Sequence, residues 1–317
     1  MTNKTDDKRL VQMAFPEVSE IDKFVRHCLG NRTVDHVIIL RQRDFSVVGR
    51  VFLKSGGSVI YKKVIAPWDC EAEIMQAVQR MNVPNTPLLL GVNRQTGWAE
   101  FLQEDVGLTS LREKNSWKLA EYTGQQLAKT QKAIENANMP LPRFIPCLDT
   151  GERIAGCFRA NSLKLAKLFP DFDQLAIASL WLMGDIIGDI LGNSKMGLQH
   201  GDVYGENIIL KDDINPFFID WSYFAFVGPN VYDLATLVSG HDKNGSLIHH
   251  RQNLITGYAK TAGVSALQTE NLIPAAYRLS RVLFLQWLLA RVEMGIRQTT
   301  VGPVDQLILQ VVAEILI

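Results

Sequence analysis

The sequence lacks three features that would each indicate a particular class of protein. It has no surplus of positive charge, because 33 Lys and Arg residues are balanced by 33 Asp and Glu residues. Proteins that bind nucleic acid normally carry a basic surplus, so we expect no nucleic-acid partner. The most apolar stretch, Val282 to Ala290, is too short to cross a bilayer. Met1 to Leu10 are polar and charged, with no secretory signal visible, so we expect no membrane partner.

Cysteine is also scarce. The four cysteines, Cys28, Cys70, Cys147 and Cys157, show neither close pairing nor zinc-like spacing. Scattered thiols are typical of a reducing compartment, and a small buried apolar residue is the simplest interpretation of each. We therefore predict a cytoplasmic protein without disulfides or a zinc site.

The composition itself is ordinary for a globular protein, at 47% hydrophobic and 21% charged residues. A chain of 317 residues can form one large domain or two lobes. Its first third predicts strands and turns with one helix, which has Asp69 as N-cap and runs through Glu71 to Val78. The predicted strands are Val37–Leu40, Val47–Leu53, Ser58–Val64, Leu88–Leu90 and Trp98–Leu102.

Beyond Gly107 the pattern changes to long helical stretches. Helices are predicted over Trp117–Ala137, Asp173–Leu191, Asn271–Met294 and Val304–Ile317. The second of these is apolar nearly all round, which is typical of a helix buried at the centre of a lobe. The change of pattern predicts a sheet-rich part over residues 1–104 and a larger helical part over residues 105–317.

The segment Leu198 to Leu210 carries the densest set of residues suited to chemistry. Asp202 lies five positions before Asn207, and the apolar run Ile208 to Leu210 follows. A second apolar run, Pro216 to Ile219, leads into Asp220, thirteen positions beyond Asn207, and we predict that the two runs pair as strands of a ribbon. An aspartate can orient a hydroxyl and take its proton, whereas amide and carboxylate oxygens suit a hard divalent cation. Since phosphoryl transfer needs mainly positioning and charge neutralisation, we predict Asp202 as the catalytic residue and Asn207 and Asp220 as Mg²⁺ ligands.

Three blocks of sequence resemble the aminoglycoside phosphotransferase and choline kinase family. They are His200-Gly201-Asp202 with Asn207, then Ile219-Asp220-Trp221, then Val227 to Ala235. That family consists of small-molecule kinases on a protein-kinase-like fold. The resemblance implies a two-lobed α+β protein with a small antiparallel-sheet N-lobe that binds nucleotide and a larger helical C-lobe that holds the acceptor. It also implies ATP and Mg²⁺ as cofactors and a small-molecule hydroxyl as acceptor.

Two residues beside the catalytic Asp are given supporting roles. His200 is expected to orient backbone and neighbouring carboxylates rather than to transfer protons. Asp233 resembles the family's helix-starting Asp, so we expect it to act as an N-cap and to brace the catalytic loop.

A kinase-like site also needs a cation on the phosphates and an anion that holds this cation. The predicted strand offers Lys62 and Lys63, and adjacent strand residues point to opposite faces, so only one can serve. The family's apolar-apolar-Lys pattern favours Lys62, with Lys63 as the alternative. Resemblance to the family's Glu-Ala pair makes Glu71 the anion, since Glu73 lies about 200° away around a helix.

Two further segments are assigned by the resemblance. The turn from Arg43 to Arg50 takes the place of the phosphate-covering loop, where a Ser often contacts phosphate in the family. Ser46 is therefore a candidate phosphate contact, and a plain hairpin turn is the alternative. The connection after the last strand of the sheet resembles the family's Glu-Asp-Leu-Gly segment, whose backbone, at Glu104 and Val106, would meet adenine.

We therefore predict an ATP-dependent phosphotransferase that moves the γ-phosphoryl group to a hydroxyl of a small molecule. A non-catalytic nucleotide-binding protein or scaffold is the alternative, although degenerate kinases usually lose one of the residues assigned above. A protein kinase is disfavoured because the chain lacks a glycine-rich loop and an Ala-Pro-Glu segment. Only about a dozen residues separate Asn207 from Asp220.

The charge of the last part of the chain bears on the acceptor. The acidic residues from His241 to Ile317 are Asp242, Glu270, Glu293, Asp305 and Glu314. The basic ones are Lys243, Arg251, Lys260, Arg278, Arg281, Arg291 and Arg297. A polycationic aminoglycoside needs compensating carboxylates, so this surplus favours a neutral or anionic acceptor. Carboxylates before His200 that could still line the site are Asp149, Glu152, Asp171 and Asp173.

Overall fold

The structure is a computed structural model that describes residues 13–43, 45–114, 116–137, 139–239, 248–299 and 302–317. The chain forms two units. The first contains the chain up to Arg80, Thr86–Gly107 and Ile219–Tyr223. The second contains Met81–Asn85, Leu108–Phe218 and Phe224–Ile317. The chain thus passes from the first unit to the second after Gly107, close to the boundary after residue 104 that the sequence predicts. Each unit also includes one short segment from the other side of this boundary.

The first unit is built on an antiparallel sheet of five strands in the order β1-β2-β3-β5-β4. The strands are β1 Val34–Gln42, β2 Ser46–Leu53, β3 Ser58–Ile65, β4 Leu89–Gln95 and β5 Trp98–Glu104. Along β2 buried positions alternate with half-buried ones, as the period of two in a pleated strand requires. Buried apolar residues lie on both faces of the sheet, with Tyr61 and Leu102 on one face and Val64 and Phe101 on the other.

Helices of the first unit pack on these two faces. Helix α1, Val18–Leu29, buries Ile21 and Val25 against the side of the sheet that carries Tyr61. Helix α2, Glu71–Arg80, packs Ala72 against the side that carries Phe101. Helix α1 was not predicted from the sequence, although its apolar residues recur at helical spacing behind a capping box. Asp69 is not an N-cap, because it lies inside a 3₁₀ turn that leads directly into α2.

The second unit is mainly helical. Its helices are α3 Trp117–Ala137, α4 Gly151–Leu168, α5 Gln174–Gly192, α6 Val231–Val238, α7 Arg251–Ala262, α8 Ala266–Glu293 and α9 Val304–Leu316. Its short strands pair as ribbons: β6 Met196–Gln199 with β9 Phe226–Pro229, β7 Ile208–Lys211 with β8 Asn215–Phe218, and β10 Gln298–Thr299 with β11 Gly302–Pro303. The pairing of β7 with β8, in which Ile208 lies opposite Phe218, was predicted from the sequence and is confirmed.

Helix α5 is not the buried helix that its sequence predicts. Leu175 is 77% exposed and Leu182 62% exposed, and Ile186 and Ile190 lie on the same outer side. By length and composition α5 could cross a membrane, with a mean hydropathy of 1.6, a test that core helices of soluble proteins also pass. With 19 residues, α5 is longer than the stretch Val282 to Ala290 on which the expectation of no membrane span was based.

The inner side of α5 contacts α4 almost backbone to backbone. A Cβ on Gly188 would lie 2.5 Å from the carbonyl oxygen of Gly151, and a Cβ on Gly151 would lie 2.6 Å from that of Gly188. Both distances are shorter than van der Waals contact, so the two helices approach this closely only because both residues are glycine.

Gly188→Ala should therefore destabilise the second unit, by about 1–3 kcal/mol as is typical of overpacked cores. Gly156→Ala is the matched control, because a Cβ there meets nothing within 4 Å and alanine is the better helix former by about 0.5–1 kcal/mol. Urea unfolding of both variants gives the two free energies. An equal or greater stability of Gly188→Ala would contradict the close packing.

Candidate active site

A buried group of charges lies in the first unit around Lys62, in the middle of β3. Its Nζ donates to Glu71 Oε1 at 2.6 Å and to Asp220 Oδ1 at 2.9 Å. Lys62 and Glu71 are both nearly inaccessible to solvent. Buried charges are tolerated when they are paired and hydrogen-bonded. Here the first residue of α2 and the segment that follows β8 supply the partners.

The neighbouring charged residues have other partners. Lys63 Nζ lies 5.1 Å from the ring centroid of Trp98, on the opposite face of the strand from Lys62, as strand alternation requires. Glu73 forms a salt bridge with Arg94. Of the two candidate lysines and the two candidate glutamates, only Lys62 and Glu71 therefore join Asp220.

Asp220 has an unusual backbone and a second cationic partner. Its φ of 62° lies in the left-handed region, where a non-glycine residue is strained, and such strain is often found at functional sites. Arg41 donates from a terminal nitrogen to Asp220 Oδ2 at 3.0 Å, so each carboxylate oxygen accepts from a different cation. Arg41 was not predicted from the sequence. Its position beside the turn between β1 and β2 was the available signal.

The pKa values of the two acids of this group shift in opposite directions. Burial raises the pKa of Glu71 to about 7, although Lys62 acts in the opposite direction. For Asp220 burial also acts to raise the pKa, but the charges of Lys62 and Arg41 outweigh it and hold the pKa well below its usual range. Asp220 is thus an ionised carboxylate at neutral pH, which is the form that a metal ion requires.

The second unit carries the loop with Asp202, which follows β6. The side-chain nitrogen of Asn207 donates to the backbone oxygen of Asp202 at 2.9 Å and to Asp202 Oδ2 at 3.1 Å. The amide oxygen of Asn207 therefore points away from Asp202. The backbone N–H of Asp202 donates to His200 Nδ1 at 3.3 Å, which agrees with the orienting role expected of this imidazole.

Close backbone contacts set the shape of the same loop. Gly201 has φ of 83°, and a Cβ there would lie 1.9 Å from the carbonyl oxygen of Phe224, so only glycine fits. Asp233 accepts from the backbone N–H of His200 at 2.8 Å and from that of Gly201 at 3.0 Å. The predicted bracing role of Asp233 is confirmed. The predicted N-cap role is wrong, because Asn230 is the N-cap of α6.

A buried network of amides supports the residue before His200. Gln199 accepts from Gln131 Nε2 at 3.1 Å and donates to Asn230 Oδ1 at 3.2 Å. Tyr258 donates to Gln131 Oε1 at 2.7 Å. Because buried polar networks hold their members in one arrangement when satisfied, this one ties β6 to α3 and α7. The residues are scattered in sequence, so no local pattern indicated the network.

The remaining candidate residues lie in the first unit. Ser46 is the first residue of β2, and its backbone oxygen accepts from Arg43 N–H at 2.8 Å, a bond that closes the hairpin turn. Glu104 ends β5, and its N–H donates to the oxygen of Leu88 at 2.8 Å. Val106 is buried two residues further on. Contact of these residues with a nucleotide stays a prediction.

The donor chemistry fits Mg²⁺ better than a metal held wholly by protein. Within the part of the chain that the structure describes, no group of three or more His, Cys, Asp or Glu side chains could hold a metal ion. Mg²⁺ typically takes one or two protein oxygens and completes its shell with phosphates and water. The ionised carboxylate of Asp220 and the oriented amide oxygen of Asn207 are of this type.

Solved structures with the same architecture define the class of fold. A choline/ethanolamine kinase family protein from Mesorhizobium loti is 13% identical, with 94% of this chain and 92% of that chain covered and a TM-score of 0.67. A choline kinase from Cryptosporidium parvum Iowa II is 10% identical, with 94% and 95% covered and a TM-score of 0.64. A spectinomycin phosphotransferase, solved with ADP and spectinomycin, is 12% identical, with 95% and 98% covered and a TM-score of 0.56.

These similarities confirm the predicted two-lobed, protein-kinase-like α+β fold. No curated protein sequence matches this chain. The sequence model of the phosphotransferase enzyme family, APH, matches residues 66–264, which is more than half of the chain. The protein belongs to that family.

Burial of Asp233 predicts a pH-dependent stability. Burial raises its pKa from 3.8 to about 6, although the two backbone donors lower it. Between about pH 4 and pH 6 the folded state therefore binds a proton that the unfolded state has lost, so the contribution of Asp233 to stability falls as pH rises through this window. The unfolding free energy of wild type minus that of Asp233→Asn should therefore be larger at pH 4 than at pH 6.5. A difference that stays constant or grows with pH would contradict the shift.

Proposed function

We propose that this protein is an ATP-dependent phosphotransferase that moves the γ-phosphoryl group to a hydroxyl of a small molecule. The observation that carries the proposal is the buried contact of Lys62 with Glu71 and Asp220, at 2.6 and 2.9 Å. A cation held by one acid, beside a second acid kept ionised, is the arrangement that phosphate binding requires. In this proposal Lys62 binds the α- and β-phosphates, and Ser46, Glu104 and Val106 contribute nucleotide contacts.

The acceptor is assigned to the loop of the second unit. Asp202 orients the hydroxyl and takes its proton as the hydroxyl oxygen bonds to the γ-phosphorus. The bond between the γ-phosphorus and the bridging oxygen of the β-phosphate breaks in the same transfer, and ADP leaves. Asn207 and Asp220 hold Mg²⁺, which would neutralise charge on the phosphates. His200 and Asp233 act only on the shape of the loop.

A catalytic protein is favoured over a non-catalytic scaffold. A scaffold needs no ionised Asp220 and no strained backbone to present it, whereas φ of 62° at this residue is a cost that a function has to justify. The family match, over residues 66–264, supports the same choice. We also propose that the protein acts in the cytoplasm.

Ion pairs in the second unit support a neutral or anionic acceptor. Each described acid of the segment from His241 onward already faces a cation. The pairs are Arg251–Glu270, Lys164–Glu293, Arg297–Asp305 and Arg281–Glu314. Asp242 and Lys243 lie outside the described residues. Of the earlier carboxylates, Asp149 pairs with Arg153 and Asp173 caps α5. A polycation would have to compete with these partners.

An arginine side chain lies over one of the aromatic rings near the loop that carries Asp202. Phe224, whose carbonyl oxygen abuts Gly201, has its ring 6.5 Å from that of Trp287, which stacks on Phe284. The guanidinium carbon of Arg291 lies 4.8 Å from the Trp287 centroid. Aromatic faces attract ligand cations when they are open. Here an arginine already lies on this face, which supports an acceptor other than a quaternary amine.

The proposal is tested by ATP turnover of the purified protein against a panel of acceptors. Phosphorylated sugars and neutral sugars should be substrates, whereas kanamycin-like and neomycin-like compounds should not. Asp202→Ala should lower turnover by about 10²–10⁴-fold while nucleotide affinity stays close to that of wild type.

Three outcomes would count against the proposal. Turnover of Asp202→Ala within threefold of wild type would remove Asp202 from catalysis. Saturable phosphorylation of aminoglycosides at a kcat/KM of about 10⁴ M⁻¹s⁻¹ or above would overturn the acceptor class. A wild-type protein that binds nucleotide but transfers nothing to any acceptor would favour the scaffold.

The two lysines of β3 provide a separate test. Lys62→Met should lose most of the activity, because it leaves Glu71 and Asp220 without their shared cation. Lys63→Met is the matched control on the next position, since Lys63 lies over Trp98, and it should keep most of the activity. Steady-state kinetics of both variants decide the assignment, and the reverse result would transfer the phosphate role to Lys63.

A further inference from the structure

An irregularity in β1 turns Arg41 towards the side of the sheet that carries Lys62. The register of β1 against β2 shifts between Ile39 and Arg41, so that Ile39 lies opposite Gly49 and Arg41 lies opposite Val48. Without this bulge Arg41 would lie opposite Val47, whose side chain is on the other face. Bulges commonly re-aim a side chain next to a functional site.

The bulge places Arg41 in one cross-strand row with Lys62. Val48 lies opposite Arg41 on one side and opposite Lys62 on the other. Directly opposed residues share a face of an antiparallel sheet. Arg41 and Lys62 therefore extend from the same face, and their charged ends reach the two oxygens of Asp220 at 3.0 and 2.9 Å.

The two cations differ in how firmly they are held. The side chain of Lys62 is 4% exposed and also bound by Glu71, whereas the side chain of Arg41 is 31% exposed. If Asp220 becomes a metal ligand, it gives up part of its interaction with these cations. Arg41 is the one that can move, because its long side chain is partly in solvent and Lys62 is enclosed.

We propose that Arg41 is a second phosphate-binding cation, which leaves Asp220 for the nucleotide's phosphate oxygens when Asp220 binds metal. A phosphate chain held by Lys62 passes within reach of Arg41, since both cations reach a single carboxylate. A guanidinium also presents a planar fork that matches phosphate oxygens. Arg41 thereby supplies charge at the place where this chain has no glycine-rich loop. The inference rests on the proposed function.

The test compares wild type with Arg41→Gln in binding ADP, ATP and inorganic tripolyphosphate, each with excess Mg²⁺, by titration calorimetry. AMP without metal is the reference ligand. Arg41→Gln should weaken Mg²⁺-ATP and Mg²⁺-tripolyphosphate by about tenfold or more, the usual size of a hydrogen bond to a charged group. AMP should bind both proteins equally.

Two further variants separate charge from geometry. Arg94→Gln removes one positive charge from the same unit, from a residue paired with Glu73 rather than Asp220, and should bind every ligand as wild type does. Arg41→Lys keeps the charge but loses the fork, so it should weaken Mg²⁺-ATP by about threefold or more. It also serves if Arg41→Gln does not fold, as judged by circular dichroism.

The outcomes distinguish this inference from the proposed function. If Arg41 only neutralises Asp220, Arg41→Gln will bind Mg²⁺-ATP as tightly as wild type or more tightly, because one cation fewer then competes with the metal for Asp220. That result overturns the inference and leaves the proposed function standing. An unchanged affinity in Arg41→Lys, beside a weakened Arg41→Gln, supports the inference and shows that the charge of Arg41 matters more than its fork. A wild-type protein that binds neither nucleotide nor tripolyphosphate overturns both.

Discussion

The ion pairs of the buried Lys62 ammonium with Glu71 and Asp220 determine how the charged residues of the first unit are arranged. A charge removed from water costs several kcal/mol unless it is paired, and here Glu71 of α2 and Asp220 supply the pairing. The ion pair between Lys62 and Asp220 ties the segment Ile219–Tyr223 to the first unit, although this segment is far away in sequence. Hydrophobic residues of equal volume are often at least as stabilising as a buried ion pair. Stability alone therefore does not account for these charges, whereas the proposed phosphate binding would.

The loop that carries Asp202 in the second unit is also held by a buried carboxylate, with backbone N–H groups in place of a lysine. Asp233 is buried and receives the N–H groups of His200 and Gly201, while Gly201 admits the carbonyl oxygen of Phe224. Buried polar groups need partners, so each of these bonds limits where Asp202 can lie. In both units an enclosed carboxylate holds a residue of the proposed reaction in position.

Much of the fold and of the candidate site was predictable from local sequence. Helix α3, Trp117–Ala137, was predicted with its observed bounds, and the pairing of β7 with β8 followed from two apolar runs. The sequence prediction failed where neighbouring elements determine which residues are buried. Helix α5 is apolar on most sides, yet several of its apolar residues face solvent, since burial depends on neighbours that periodicity does not specify.

By itself the sequence determined the family, the fold class and the candidate residues Lys62, Glu71, Asp202, Asn207 and Asp220, because spacing along the chain carries that information. Tertiary structure decided which side chains share a carboxylate. Lys62 rather than Lys63 meets Glu71 because strand alternation and the packing of α2 act together. Arg41 reaches Asp220, 179 positions away, because a bulge reverses the face on which it lies. Contacts at such separations depend on register and packing, which no local pattern of residues records.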